Sequence, residues 1–309
     1  MSSGNFAGKL TAQMAGELGL HPEVSVAVAI IDAHAAVVGA GLSKSNEMLI
    51  VIGTSSCHML LSNEERLIPG VAGVVEDGIF EGLYAYEAGQ VAVGDIFSFF
   101  IREQLPTIYE EEAKQKDCSV FDVLNQYADK VVTGSHGLIA LDWHNGNRSP
   151  YANPNLSAVV VGETLQTKAY EKYRALIEGT AFGTKLIVEL FQQSGLEIDS
   201  VILAGGIPRK NSLLVQIYAD VLQKPLAVLD DTQIPARGAA ILGAAAYEQI
   251  PLHEAAKKYG ITNQVIFEPN KENQPIYELL YQNYKALVEL FHNNPLMQGL
   301  HELKGRRRE

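Results

Sequence analysis

The 309-residue chain predicts an α/β fold, and three patterns carry that expectation. The first is Val201-Ile202-Leu203-Ala204, a short apolar strand that passes through Gly205-Gly206 into a helix. Leu213, Leu214, Ile217, Tyr218, Val221 and Leu222 recur there at helical spacing until Pro225 ends the pattern. The second is residues 49–61, LIVIGTSSCHMLL, an apolar strand interrupted by Gly53-Thr54-Ser55-Ser56. The third is a set of amphipathic helical stretches, the longest at Tyr173 to Phe191. A hydrophobic content of 47% at this length suffices for one large core, so a single α/β core with elaborations is expected.

Asn5 to Leu20 reads as a short amphipathic segment. Next, the apolar run Val26 to Ile31 delivers Asp32 into small residues that continue to Gly41. A carboxylate deep in such a stretch needs partners, because burying an ion alone is costly. At Gly53 to Ser56 the free N–H groups and hydroxyls suit phosphate oxygens, although a β-hairpin with a polar turn would use the same residues. Glu87 follows the aromatic strand pattern of LYAYEAGQ and precedes a glycine-flanked helix start. It reads either as an acceptor for a ligand's hydroxyls or as an acid favoured by a helix N-terminus. Arg102 to Asp129, with Glu110-Glu111-Glu112, is polar enough for a solvated helical excursion between core elements. In the helix at 173–191, Leu176, Ile177, Ala181, Thr184, Val188 and Phe191 keep one face apolar, and Gly195 can end it.

The Gly205-Gly206 junction suits a ligand held outside the carboxyl end of a strand, and it suits an ordinary strand-to-helix turn equally well. Ala236, Gly238, Ala239, Ala240, Gly243 and Ala244 make a helix of little bulk, which points to close packing. A further helix follows Pro275, with Leu280, Tyr284, Leu287, Val288 and Phe291 inward. The domain is expected over 1–295, with a polar tail over 296–309.

A formal net charge of −12, with no basic stripe except Arg306-Arg307-Arg308, argues against nucleic acid as a partner. Cys57 and Cys118 make no disulfide framework. No apolar run reaches the length of a membrane span, and the first twenty residues show no apolar core or charged leader, so a cytoplasmic location is expected. Asp32 and His34 alone do not make a metal site. Within Ser55-Ser56-Cys57-His58, alternation along a strand sends neighbouring side chains to opposite faces, so no nucleophile meets its base there.

Together, Ile31-Asp32-Ala33-His34, GTSSC at 53–57 and LAGGIPRKN at 203–211 resemble the carbohydrate kinases of the FGGY family, in particular its ribulokinase branch. Residues 138–156, LIALDWHNGNRSPYANPNL, resemble a stretch that differs among the family's sugar specificities, with Trp143, Asn145 and Asn147 in the ribulokinase form. The resemblance runs from about residue 7 to about residue 290. It implies an actin-like ATPase (ribonuclease H-like) domain, a mixed sheet flanked by helices. Members usually have about 500 residues or more, so the chain looks like their C-terminal half, with the N-terminal domain as a missing partner.

The resemblance also implies roles. Asp32 matches the catalytic aspartate and Glu87 a sugar-binding glutamate. Gly53 and Thr54 match a phosphate loop, Gly94 a glycine beside the ATP phosphates, and Gly205, Gly206 and Asn211 the adenosine loop. Asn211 is equally an expected helix N-cap. ATP is the implied cofactor, with Mg²⁺ carried by the nucleotide, and L-ribulose or a related pentulose is the implied substrate. A kinase for another ketopentose or polyol, and a non-catalytic actin-like nucleotide-binding module, are the alternatives. A homodimer is left open. Such a half is expected to bind nucleotide weakly and turn over little alone.

Overall fold

A computed structural model describes residues 1–305, and Arg306 to Arg308 of the expected tail lie outside them. The chain opens with β1 (Phe6–Lys9), α1 (Ala12–Leu18), β2 (Ser25–Ala27) and α2 (Asp32–Gly39). It continues through β3 (Glu47–Ile52), β4 (Ser56–Ser62), β5 (Gly73–Glu76), β6 (Tyr84–Gln90) and α3 (Gly94–Gln104). The polar stretch forms α4 (Thr107–Gln115) and α5 (Val120–Asp129), followed by β7 (Ile139–Leu141), β8 (Val159–Val161) and the long α6 (Ala169–Gln193). Then come β9 (Ser200–Ala204), α7 (Gly206–Lys210), α8 (Ser212–Leu222), β10 (Leu226–Leu229), α9 (Ile234–Glu248) and α10 (Leu252–Tyr259). The last elements are β11 (Gln264–Phe267), α11 (Gln274–His292) and α12 (Pro295–Gly305), so the described part of the expected tail is helical.

Seven strands form one mixed sheet in the order β11-β10-β9-β3-β4-β6-β5. Strands β10, β9 and β3 are parallel and the others pair antiparallel. Val51 pairs with Ala204, so β3 and β9 reach the same carboxyl edge together and deliver Gly53 and Gly205 side by side. Residues 49–61 are two antiparallel strands rather than one: Gly53 N–H donates to Ser55 O at 2.9 Å and the chain reverses there. A glycine followed by hydroxyl residues favours that turn over continued extension.

Alternation along the strands divides the core. Leu49, Met59, Leu61 and Ala85 face α2, α9 and α10. Met48, Ile50, Leu60 and Tyr86 face α6, α8 and α11. Helix α6 is buried for most of its length and carries an internal ion pair, Arg174 Nε to Glu178 Oε1 at 3.0 Å. His136 Nε2 lies 3.0 Å from the other Glu178 oxygen, and its Nδ1 accepts Leu138 N–H, so Nε2 is the ring nitrogen that donates. Tyr277 OH, Ala128 O and Thr133 complete the arrangement, as a buried charge pair requires.

Of the six small residues of α9, only Gly238 is closely packed; Ala236, Ala239 and Ala240 are exposed, and Gly243 and Ala244 are half-buried, so the close packing expected of all six holds at one position. A Cβ added at Gly238 of α9 would lie 1.8 Å from Ala35 O of α2, and one at Gly39 of α2 would lie 2.1 Å from Ile234 O. The run Val26 to Ile31 is not a continuous strand: β2 ends at Ala27, and Asp32 opens a helix whose small residues let it lie against α9.

Candidate active site

The carboxyl edge of β3 and β9 is built around glycines. Gly205 has φ +108°, and a Cβ there would meet Ile52 O at 2.2 Å. Gly94, the first residue of α3, donates to Gly53 O at 3.0 Å, and its Cβ would lie 2.6 Å from both Gly53 O and Ile207 Cδ1. Val93 and Asp95 N–H groups hold Thr54 O at 2.8 and 3.2 Å. The turn after β3, the start of α3 and α7 are thereby locked together. Gly53 and Gly206, by contrast, face open space, with nothing within 4 Å of an added Cβ. Such a floor of bare backbone fits the phosphates and the flat base of a nucleotide.

Asn211 lies at the end of the Gly205–Gly206 segment and is buried. Its Oδ1 accepts Leu214 N–H at 3.0 Å as the N-cap of α8, and its Nδ2 donates to Tyr173 OH at 3.1 Å. The side chain therefore fixes the start of α8, the helix that follows α7.

Asp32 departs from its expected burial. It is the exposed first residue of α2, where Oδ1 accepts Ala33 N–H at 2.8 Å, and a carboxylate at a helix N-terminus needs no counter-ion. Glu87 also departs from expectation: it lies within β6, opposite Met59 of β4 and Gly73 of β5, and so is not an acid at a helix start. The strand pattern of LYAYEAGQ simply runs on through it. Arg148 Nη2 contacts Glu87 Oε1 at 2.5 Å, and His34 Nε2 of α2 lies 3.5 Å from Oε2. Cys57, just past the Gly53–Ser55 turn, is within electrostatic reach of Glu87, Arg148 and Asp32; burial pushes its thiol up, which leaves it a poor nucleophile. His58 points to the other face, into a buried network of Thr184, Gln90, Ser56, Asp142 and Tyr284.

Arg148 is the site residue that sequence reasoning passed over. Its stretch was singled out, but only as a specificity segment, and the available signal was a lone cation among Asn, Gly, Ser and Pro. The segment holding it is a tight loop: Asn147 and Asn153 exchange backbone hydrogen bonds at 2.8 and 2.9 Å, and Asn147 Oδ1 accepts Tyr151 N–H at 3.0 Å. Trp143 is fully buried and packs edge-on against Tyr151, so it builds this loop rather than lining a surface. Asn145 is exposed and borders a cavity with Asp95, Ser98, Phe99 and Arg102.

The arrangement leaves an open glycine turn at the strand ends and, on the same sheet, a carboxylate held by a guanidinium, with a solvent-facing carboxylate at the start of α2. A mixed sheet with helices on both faces and a site at the strand ends is the architecture of the actin-like ATPase fold. Within it, the chain belongs to the FGGY family of carbohydrate kinases: residues 48–247 match "FGGY family of carbohydrate kinases, C-terminal domain". The chain is 44% identical over 315 residues to the ribulokinase of Shouchella clausii, covering 99% of this chain and 56% of that protein. It is 45% identical over 295 residues to the ribulokinase of Anoxybacillus flavithermus, covering 93% and 52%. Among solved structures, the xylulose kinase from Rhodospirillum rubrum superposes with a TM-score of 0.82 at 22% identity, over 96% of this chain and 57% of that one. Plasmodium falciparum glycerol kinase with ADP gives 0.75 at 17% identity, over 93% and 55%. These two likenesses show the fold. The chain thus spans about half the length of the curated relatives it matches. No helix among the described residues is long and apolar enough to cross a membrane.

Proposed function

We propose that this chain supplies the nucleotide-binding and proton-accepting half of a kinase that phosphorylates L-ribulose to L-ribulose 5-phosphate with ATP. One observation carries the reading: β3 and β9 end together at Gly53 and Gly205–Gly206, where a Cβ added at Gly53 or Gly206 meets nothing within 4 Å, and the same sheet carries Glu87, which His34 links to the helix that Asp32 opens. Identity of 44–45% to ribulokinases supports the choice of sugar.

ATP, with Mg²⁺ carried on it, supplies the phosphoryl group. Gly53 and Thr54 border the phosphates, Gly94 keeps that turn against α3 with its N–H spent on Gly53 O, and Gly205 and Gly206 let the adenosine lie flat against the turn. Asn211 holds α8 behind that turn. Asp32, in solvent at the end of α2, takes the proton of the sugar's terminal hydroxyl as the bond to phosphorus forms. A carboxylate is a weak base toward a free alcohol, so the transfer is late, after the attacking oxygen has become acidic. Glu87 accepts hydrogen bonds from sugar hydroxyls and so rejects substrates that lack them.

The test joins this chain to the preceding portion of the Shouchella clausii ribulokinase and measures ketopentose-dependent ADP release. L-Ribulose is expected to be the preferred acceptor, and Asp32→Asn to lower kcat about 10²–10⁴-fold. Release that is independent of any ketopentose, or unaffected by Asp32→Asn, contradicts the proposal.

A further inference from the structure

Glu87 is held from two sides. Arg148 reaches one carboxylate oxygen from the 147–153 loop, and His34 approaches the other from α2, two residues beyond Asp32. The loop is fastened to the sheet where β6 outruns β5. Gly89 N–H donates to Ser149 Oγ at 3.3 Å, and Gly70 meets Pro150 so closely that a Cβ there would lie 2.0 Å from Pro150 O. Residue 89 is itself limited to glycine, since a Cβ would lie 2.4 Å from Ser56 O; the same position is 3.5 Å from Arg148 Nη1, so the guanidinium lies over bare backbone. Arg148 remains 41% exposed, and an ion pair so open to water adds little to stability. So anchored a loop for so weak a structural contribution points to the site.

We propose that Arg148, with His34 opposite it, is a positioning residue for Glu87, fixing the carboxylate so that the sugar hydroxyls meet a preset acceptor. This rests on the reading that Glu87 faces the sugar. A glutamate has three side-chain torsions to order on binding, and a planar guanidinium orders them beforehand in a way a point charge does not. Each carboxylate oxygen keeps lone-pair capacity after meeting Arg148 or His34, so two sugar hydroxyls still find acceptors. Because His34 shares α2 with Asp32, the same helix end sets both the proton acceptor and the second contact to Glu87.

The experiment is a double-mutant cycle of Arg148→Met and Glu87→Gln in the joined enzyme described above, with Arg148→Lys as the conservative variant. Arg148→Met is expected to keep the parent's thermal midpoint and to raise KM for the ketopentose roughly 10–100-fold, leaving KM for MgATP unchanged. Arg148→Lys recovers part of the loss. In the Glu87→Gln background, Arg148→Met adds less than about threefold. A full additive effect there, or a parallel rise in KM for MgATP, overturns the proposal. A second readout needs no activity: nitrogen NMR of the 309-residue chain, in which the Arg148 guanidinium rotates slowly in the parent and freely in Glu87→Gln. If the joined parent phosphorylates no ketopentose, the functional reading fails and takes the sugar role of Arg148 with it. The NMR comparison then decides the clamp alone, and equal rotation in parent and variant overturns it.

Discussion

His58 shows how far one buried residue shapes the protein's response to acid. It is wholly enclosed, with Nε2 3.2 Å from Thr184 Oγ1, and burial, aided by the Arg148 charge, pushes its pKa down to about 3. An unfolded histidine takes up a proton near pH 6.5, whereas the folded one does not until about pH 3. Between those values the unfolded state binds more protons, so stability is fully present above pH 6.5 and is lost as pH falls through the window. Unfolding free energy is expected to drop by about 1 kcal/mol per pH unit from His58 there, and His58→Gln to flatten that slope in denaturant titrations at pH 6.5 and 4.5. An unchanged slope contradicts the assignment. None of this is legible in the sequence, where His58 is one residue in an apolar strand. Its partner Thr184 lies 126 positions away, and Gln90 and Asp142 come from two further elements. Arg148 escaped notice for the same reason, since nothing local ties it to Glu87 61 residues earlier. Asp32 stands out in the sequence because its neighbours form a recognisable motif, but its exposure is not legible there: an apolar run before it reads as strand until the helix start is seen.

At the scale of elements, α2 is positioned by its contact with α9, and this packing sets where Asp32 stands. Periodicity and small-residue content made α6, α8, α9 and α11 readable, because helical spacing of apolar residues is a local property. The hairpin at Gly53 was open between two readings, since the turn and the phosphate loop ask for the same small residues. Gly238→Ala is expected to destabilise the fold by about 1–3 kcal/mol, because its methyl group would overlap Ala35 O and both helix backbones would have to part. The same shift moves the end of α2, so kcat of the joined enzyme should fall at temperatures where the variant remains folded. Full activity and an unchanged thermal midpoint would show that α9 does not set the position of α2. Gly94→Ala makes the corresponding test at α3. Its Cβ has no room between Gly53 O and Ile207 Cδ1, so KM for MgATP should rise, with a smaller change in KM for the sugar.

For the whole molecule, a net charge of −12 does not prevent nucleotide binding. Screening confines most of that charge to its surroundings at physiological ionic strength, while a ligand at the Gly53–Ser55 turn would meet its neighbours at contact distance. The chain spans about half the length of its curated relatives, so the half-site described here is expected to bind nucleotide weakly and to turn over little alone. In the proposed function, adenosine rests on the Gly205–Gly206 turn. Gly206 is suited to testing it, because a Cβ added there has no atom of another segment within 4 Å. A calorimetric titration of the chain with MgATP, repeated on Gly206→Val, therefore separates loss of the ligand from loss of the fold. Measurable heat of binding is expected in the parent and none in the variant at an unchanged thermal midpoint; equal affinity in the two would contradict adenosine binding at this turn.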